Sequence, residues 1–179
     1  YKGMASEKKD INQRNLAMKL IIGRHGEAEQ HSATGLDKDR RLTEKGIADI
    51  AKMADFIFHS PLKVTQIFHS PYKRTNETAE IFSEKIQFKG IVNPVNELLP
   101  GADYSDLLPK LNQFTNSDTI LIIGHNPDVS FFAGKLIRDE SFANVFGFSP
   151  GTTVAINIAK ENFLRGQIIW MISPEFLKT

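Results

Sequence analysis

Leu20-Ile21-Ile22-Gly23-Arg24-His25-Gly26-Glu27-Ala28 is the stretch that decides the reading of this chain. Its first three residues are aliphatic with no polar interruption. Such a run suits a short strand buried on both faces, and Gly23 closes it. The charged residues that follow then stand at the strand's carboxyl end.

Working outward, strand-like and helix-like segments alternate. Residues 26–41 are polar, lack an apolar period and read as a loop. Thr43 can cap a helix that carries Ile47, Ile50, Ala51, Ala54, Ile57 and Phe58 at helical spacing. Residues 64–68 read as a strand. Ser70-Pro71 then looks like an N-cap followed by proline at the first helical position, opening a helix with Thr75, Thr78, Ala79, Phe82 and Ile86 on one side. A short strand near Ile91-Val92 leads into a turn-rich stretch, 93–101. Tyr104, Leu107, Leu108, Leu111 and Phe114 mark another amphipathic helix, with Pro109 limiting its regularity. Residues 119–123 form a fully apolar, β-branched strand, and Asn126-Pro127 repeats the cap-plus-proline signal. The next helix carries Val129, Phe132, Ala133, Leu136 and Ile137. Two strands, 152–158 and 167–172, close the chain around a polar turn.

This alternation predicts one three-layer α/β domain over residues 17–179, with a mostly parallel central sheet and helices on both faces. Residues 1–16 are polar and charged and read as an N-terminal extension or remnant without the apolar core of a secretory signal. The 179-residue length suits one domain. The chain is 41% hydrophobic and carries a net charge of only +1, which argues against a nucleic-acid binder working through bulk electrostatics. No apolar run approaches the ~20 residues that span a bilayer. There are no cysteines, so a thiol nucleophile and thiolate metal sites are excluded. Together these features predict a cytoplasmic protein.

Ligands of such sheets bind beyond the carboxyl ends of the strands. Three of those ends carry Gly23-Arg24-His25-Gly26-Glu27, His69-Ser70-Pro71-Tyr72-Lys73-Arg74 and Gly124-His125-Asn126-Pro127. If the strands are parallel, two histidines and an arginine converge with Arg24 on one edge. That set suits phosphate. Arginine offers a planar fork that matches phosphate oxygens. A neutral imidazole can attack phosphorus and carry the phosphoryl group. A helix opening after Asn126 would add backbone N–H donors. Nearby arginines would hold His25 below the ordinary histidine value of ~6.5, and so neutral at pH 7.

The same residues resemble a known family. The stretch 20–28 resembles the signature of the histidine phosphatase superfamily, the phosphoglycerate-mutase-like enzymes. Residues 70–79 resemble its second block and 123–127 its third. The SixA-type phosphohistidine phosphatases are most similar, sharing the patterns seen here at Arg40-Arg41-Leu42-Thr43-Glu44-Lys45-Gly46 and Trp170-Met171-Ile172-Ser173-Pro174. The resemblance covers residues 18–178. It implies His25 as nucleophile, with Arg24, Arg74 and His125 completing the phosphate pocket and Asn126 and Arg40 bordering it. It implies a proton donor in the loop after the third strand. Glu97 is the candidate and Asp103 the second choice. It also implies no cofactor and no metal. The substrate would be a phosphorylated protein side chain, or else a small phosphoester. The residues between Arg74 and His125 are too few for the helical lid of larger relatives, so a shallow, open site is expected. A phosphate- or phosphoprotein-binding module without turnover is the rival from another class.

Other features read as ordinary. His31, His59 and His69 are expected to be surface or internally satisfied, and Phe131-Phe132 to pack in the core. Gly147-Phe148-Ser149-Pro150-Gly151 matches the serine-hydrolase string G-x-S-x-G, but Pro150 has no N–H for an oxyanion hole and a strand follows instead of a helix. No paired metal-ligand spacing and no Walker A string is present.

Overall fold

A computed structural model of the chain describes residues 18–159 and 162–178. The predicted extension, 1–16, lies outside them. Six strands form one sheet: β1 (Met18–Arg24), β2 (Gln66–His69), β3 (Val92–Pro94), β4 (Thr119–Gly124), β5 (Thr153–Ala159) and β6 (Asn162–Ile172), in the order β3-β2-β4-β1-β5-β6. The four on the β3 side are mutually parallel, whereas β5 runs antiparallel to β1 and β6 to β5. The α/β architecture with a mostly parallel sheet is therefore as expected.

Strand alternation divides the core. Leu20 and Ile22 face a cluster with Ile120, Ile122, Leu98, Tyr104, Val129, Phe132 and Leu136, whereas Ile21 faces the other side with Leu121, Ile123, Ile50, Ile57 and Phe82. Both faces of β1 and β4 are thus covered, which explains the unbroken aliphatic runs Leu20-Ile21-Ile22 and Ile120-Leu121-Ile122-Ile123 at their centres. On the second face lie α1 (Glu44–His59) and α2 (Lys73–Lys85). On the first lie α4 (Asp128–Ile137) and the segment holding the short α3 (Leu108–Leu111); one further turn of helix, α5 (Phe142–Val145), follows α4. Among the described residues no helix is long and apolar enough to cross a membrane.

Local chemistry explains both agreement and departure. Thr43 caps α1, its hydroxyl accepting from the Gly46 N–H at 3.0 Å. The buried stripe of α1 is Ile50, Met53, Ala54 and Ile57, narrower than expected, and Ile47 and Phe58 face solvent at 47% and 37% exposure. Helix α2 begins at Lys73, two residues later than the Ser70-Pro71 signal suggests. The Ser70 hydroxyl does not cap it. Tyr104 to Leu111 does not form one continuous helix: a 3-10 turn (Tyr104–Leu107) precedes the single turn of α3, where Pro109 lacks the N–H a continuing helix would use. Its apolar face is still buried at Tyr104, Leu107 and Leu111. Phe132 is core as expected, but Phe131 is 57% exposed. Pro127, not Asn126, occupies the N-cap of α4.

Gly46 shows how tightly the first loop is held. The Glu27 carbonyl accepts from the Thr43 N–H at 2.9 Å, so the loop after β1 is pinned to the start of α1. A Cβ at residue 46 would lie 2.1 Å from that carbonyl oxygen. Gly46→Ala should therefore force backbone apart and cost roughly 1–3 kcal/mol. A thermal melt lowered by several degrees is the expected result, and an unchanged melt would show that the loop yields freely.

Candidate active site

The register of the sheet brings the two histidines together. Arg24 pairs with Gly124 across β1 and β4, so His25 and His125 leave neighbouring strands side by side. The ladder extends one step further, with the His25 N–H donating to the Gly124 carbonyl at 3.1 Å. His69 of β2 pairs with Ile123, which places Ser70 and the first turn of α2 at the same edge. The imidazole rings of His25 and His125 meet edge to face with centroids 5.3 Å apart.

Arg74 links them. Its Nε donates to His25 Nε2 at 3.2 Å, and its Nη2 donates to His125 Nδ1 at 3.3 Å. A guanidinium only donates, so both of those ring nitrogens act as acceptors. The proton of His25 then sits on Nδ1, which donates to the Gly26 carbonyl at 2.7 Å. The proton of His125 sits on Nε2 and reaches the Ser70 hydroxyl at 2.9 Å. His25 thereby presents an Nε2 lone pair to the pocket, and its other nitrogen is fixed by the backbone.

Electrostatics keep both rings neutral. His25 titrates at about 4, because burial disfavours its charge and Arg74, Arg24 and Arg40 add positive potential against the opposing bond to Gly26. His125 is pushed down to about 3 by burial, then by His25 and Arg74. The expected observation is a His25 ring resonance that titrates with a midpoint near 4. The ring is then uncharged from pH ~5 upward, and its availability as a nucleophile is lost only as pH falls through about 4. An NMR midpoint near the ordinary ~6.5 would mean that the ring is solvated and the pocket wrongly described.

Arg24 flanks the cluster. Its Nη1 donates to the Phe148 carbonyl at 2.7 Å, whereas its buried Nε has no hydrogen-bond partner among the described residues. A buried donor without a partner is costly, and an anion in the pocket would satisfy it. The 147–151 stretch, which resembles a serine-hydrolase string, thus contributes a carbonyl to Arg24, and its Gly151 N–H donates to the His25 carbonyl at 3.0 Å. Among the described residues no group of three or more His, Asp or Glu side chains is placed to hold a metal ion.

Arg40 reaches the cluster indirectly. Asp37 accepts from Arg40 Nη1 at 2.9 Å and from Arg74 Nη2 at 3.1 Å, and its carbonyl takes Arg74 Nη1 at 2.8 Å. Hydrogen bonding from Arg40 holds the Asp37 carboxyl below its ordinary value. Asn126 follows His125 but is exposed; its side-chain carbonyl faces the Ser130 hydroxyl at 3.4 Å. Glu97 is engaged by a lysine. It lies in a 3-10 turn (Asn96–Leu98), paired with Lys110 at 2.6 Å, and that bond holds its carboxyl below the usual range. Asp103 caps the Ser105 N–H at 2.9 Å, pairs with Lys135 at 3.4 Å and is likewise shifted down. His69 is buried and bonded to the Ser70 carbonyl at 2.8 Å, whereas His31 and His59 are exposed.

Several residues of the site carry no signal in the sequence. Asp37 sits in an aperiodic polar loop. Ser70 has the look of a helix cap. Tyr104 belongs to an apolar face, yet its hydroxyl accepts from the His125 N–H and donates to the Leu98 carbonyl, both at 3.0 Å. Tyr72 lies between Arg74, whose guanidinium is 4.9 Å from its ring centre, and His125, whose ring is 5.2 Å away.

Known proteins are similar to this chain in sequence and fold. The model of the histidine phosphatase superfamily (branch 1) matches residues 20–97, a span that holds His25 and Arg74 and ends before His125. The chain is 27% identical over 164 residues to phosphohistidine phosphatase SixA of Escherichia coli (strain K12), covering 90% of this chain and 97% of that protein. Its fold is similar to that of the protein histidine phosphatase SixA complexed with tungstate, with a TM-score of 0.80, 24% identity and coverage of 90% and 100%. A mutant phosphoserine phosphatase of Entamoeba histolytica in complex with phosphoserine shares the fold at a TM-score of 0.63, with 18% identity and coverage of 88% and 98%.

Proposed function

We propose that this chain, which belongs to the histidine phosphatase superfamily, removes phosphate from phosphohistidine in a protein by way of His25. The observation that carries this reading is the bridge of Arg74 between the two neutral histidines. It supplies a nucleophile and an anion clamp in one contact. The E. coli relative named as a phosphohistidine phosphatase supports the choice of substrate.

In the first step the His25 Nε2 lone pair attacks phosphorus. The substrate's P–N bond breaks in line, and its ring, which carries a proton on the other nitrogen, leaves as neutral imidazole with the bonding pair. The phosphoryl group takes over Nε2 from Arg74, whose freed Nε–H turns onto a phosphoryl oxygen beside Arg24 Nε. His125 can offer a phosphoryl oxygen a donor only by moving its proton from Nε2, toward Ser70, to Nδ1. In the second step water attacks phosphorus, the P–Nε2 bond breaks, and phosphate departs with His25 neutral again. Both steps gather charge on the equatorial oxygens, where fixed cationic donors act most strongly.

The leaving group explains why no free acid is needed. An imidazole already protonated on its far nitrogen departs without a proton delivered in the transition state, whereas a serine alkoxide requires one. The ion pairs of Glu97 and Asp103 with lysines favour the first case. Glu97→Gln is therefore expected to change phosphohistidine turnover by less than about threefold, against the roughly 10²–10⁴-fold loss of a general acid. Steady-state rates on phosphohistidine and on a phosphoserine peptide, side by side, test the substrate class. Faster turnover of the phosphoserine peptide would transfer the proposal to a phosphomonoesterase. Phosphate binding without turnover of either would leave a binding module.

A further inference from the structure

A second recess adjoins the catalytic cluster. It has a volume of about 460 Å³ and lies between the 3-10 turn Asp37–Asp39, the start of α2 and the loop after β3. Lys38 and Asp39 line it on one side, Tyr72 and Lys73 on another, and Asn96 and Leu99 on the third. Tyr72 belongs to both places. Its ring contacts His125 and Arg74 while it also forms a wall of the recess. A chain segment attached to the reacting group needs only to pass Tyr72 to enter.

The charge around the recess leans positive. Segments 37–41 and 70–76 hold five cationic residues, Lys38, Arg40, Arg41, Lys73 and Arg74, against Asp37 and Asp39, in a chain whose net charge is +1. Most of these charges are already engaged. Arg40 and Arg74 share Asp37, Arg41 pairs with Glu77 at 2.7 Å, and Asp39 accepts from the Thr34 hydroxyl at 2.6 Å. The two lysines are less fully engaged. Lys38 is exposed and, among the described residues, forms no ion pair. Lys73 lies 3.8 Å from a Glu77 carboxylate that already accepts from Arg41 and from the Leu42 N–H. One ammonium without an ion pair among the described residues, and one that shares an already engaged carboxylate, thus line the cleft beside the reaction centre against the single carboxylate of Asp39.

We infer that this cleft seats an acidic side chain of the substrate protein next to its phosphohistidine, with Lys38 and Lys73 as the recognising cations. The inference rests on the phosphohistidine reading and adds the chemistry of the flanking polypeptide. Recognition of this kind acts mainly through encounter and fades with salt. Its test uses the full chain and three substrates: phosphohistidine itself, a short phosphohistidine peptide flanked by Asp and Glu, and the same peptide flanked by Lys. Wild type is expected to favour the acidic over the basic peptide in kcat/KM by about tenfold at low salt, with the preference shrinking toward unity near ~0.5 M salt. The double variant Lys38→Glu/Lys73→Glu is expected to invert the preference. An equal ratio in wild type, or a ratio that the double variant leaves unchanged, overturns the inference and leaves the catalytic reading standing. Failure of wild type to hydrolyse any of the three overturns the phosphohistidine reading and the inference with it.

Discussion

His25→Ala is expected to abolish the phosphoenzyme and to lower turnover by about 10⁴-fold or more, the scale on which loss of a nucleophile acts. The measurement is an acid- and base-quenched labelling with a phosphodonor. Wild type should trap a phosphoryl group that is labile in acid and stable in base, as a P–N bond requires, and the variant should trap none. The variant retains Arg24 and Arg74, so it should still bind a phosphate-like oxyanion. That second readout separates loss of chemistry from loss of the pocket. His25 is 8% exposed and its truncation leaves a void, so a melt must accompany the rates. Label that persists in a folded His25→Ala protein would falsify the proposed mechanism. Label stable in acid would move the acceptor to an oxygen, and the Ser70 hydroxyl beside His125 would be the first place to look.

The parts of this site that were legible in the sequence share one physical cause. His25 and His125 each stand one residue past a strand that is apolar on both faces, and such strands belong in the middle of a parallel sheet. Two residues in equivalent positions on adjacent parallel strands must emerge together, as the pairing of Arg24 with Gly124 does here. Arg74 is legible for a related reason, since the helix that carries it starts just beyond β2 at the same edge. Local spacing and sheet geometry together specify all three.

What stayed hidden depends on contacts between segments that do not share a period. Asp37 meets Arg74 across 37 residues of chain, from within a loop whose polar composition would suit any exposed turn. Glu97 sits in the turn-rich stretch where a proton donor was expected, but its direction is set by Lys110, which approaches from α3. Ser70 shows how a local rule loses to a tertiary one. Ser-Pro is a sound helix opening, yet the His125 ring claims the hydroxyl and the helix starts at Lys73 instead. Ile47, Phe58 and Phe131 make the same point for packing. Helical spacing says which residues share a face, whereas neighbouring elements decide how wide the buried face is.

Arg74 should give the second large effect, and two substitutions separate its roles. Its fork touches His25 Nε2, His125 Nδ1 and both oxygens offered by Asp37. Lysine keeps the charge but has a single nitrogen on a flexible stem, so it cannot span the two rings. Arg74→Lys is expected to lower kcat by about 10²-fold or more, comparable to losing one oriented donor from an anion hole. A loss below about fivefold would mean that charge alone suffices and the bridge is incidental. Arg74→Ala removes the charge as well, and its signature is a titration. Arg74 contributes to holding His25 at about 4, but burial is the larger cause. The midpoint should therefore rise in the alanine variant without reaching the ordinary ~6.5, and in the lysine variant it should move less. A His25 midpoint unmoved by alanine would show that burial alone keeps the nucleophile neutral. Arg74 would then serve the phosphoryl group only, and the two functions proposed for one side chain would have to be divided.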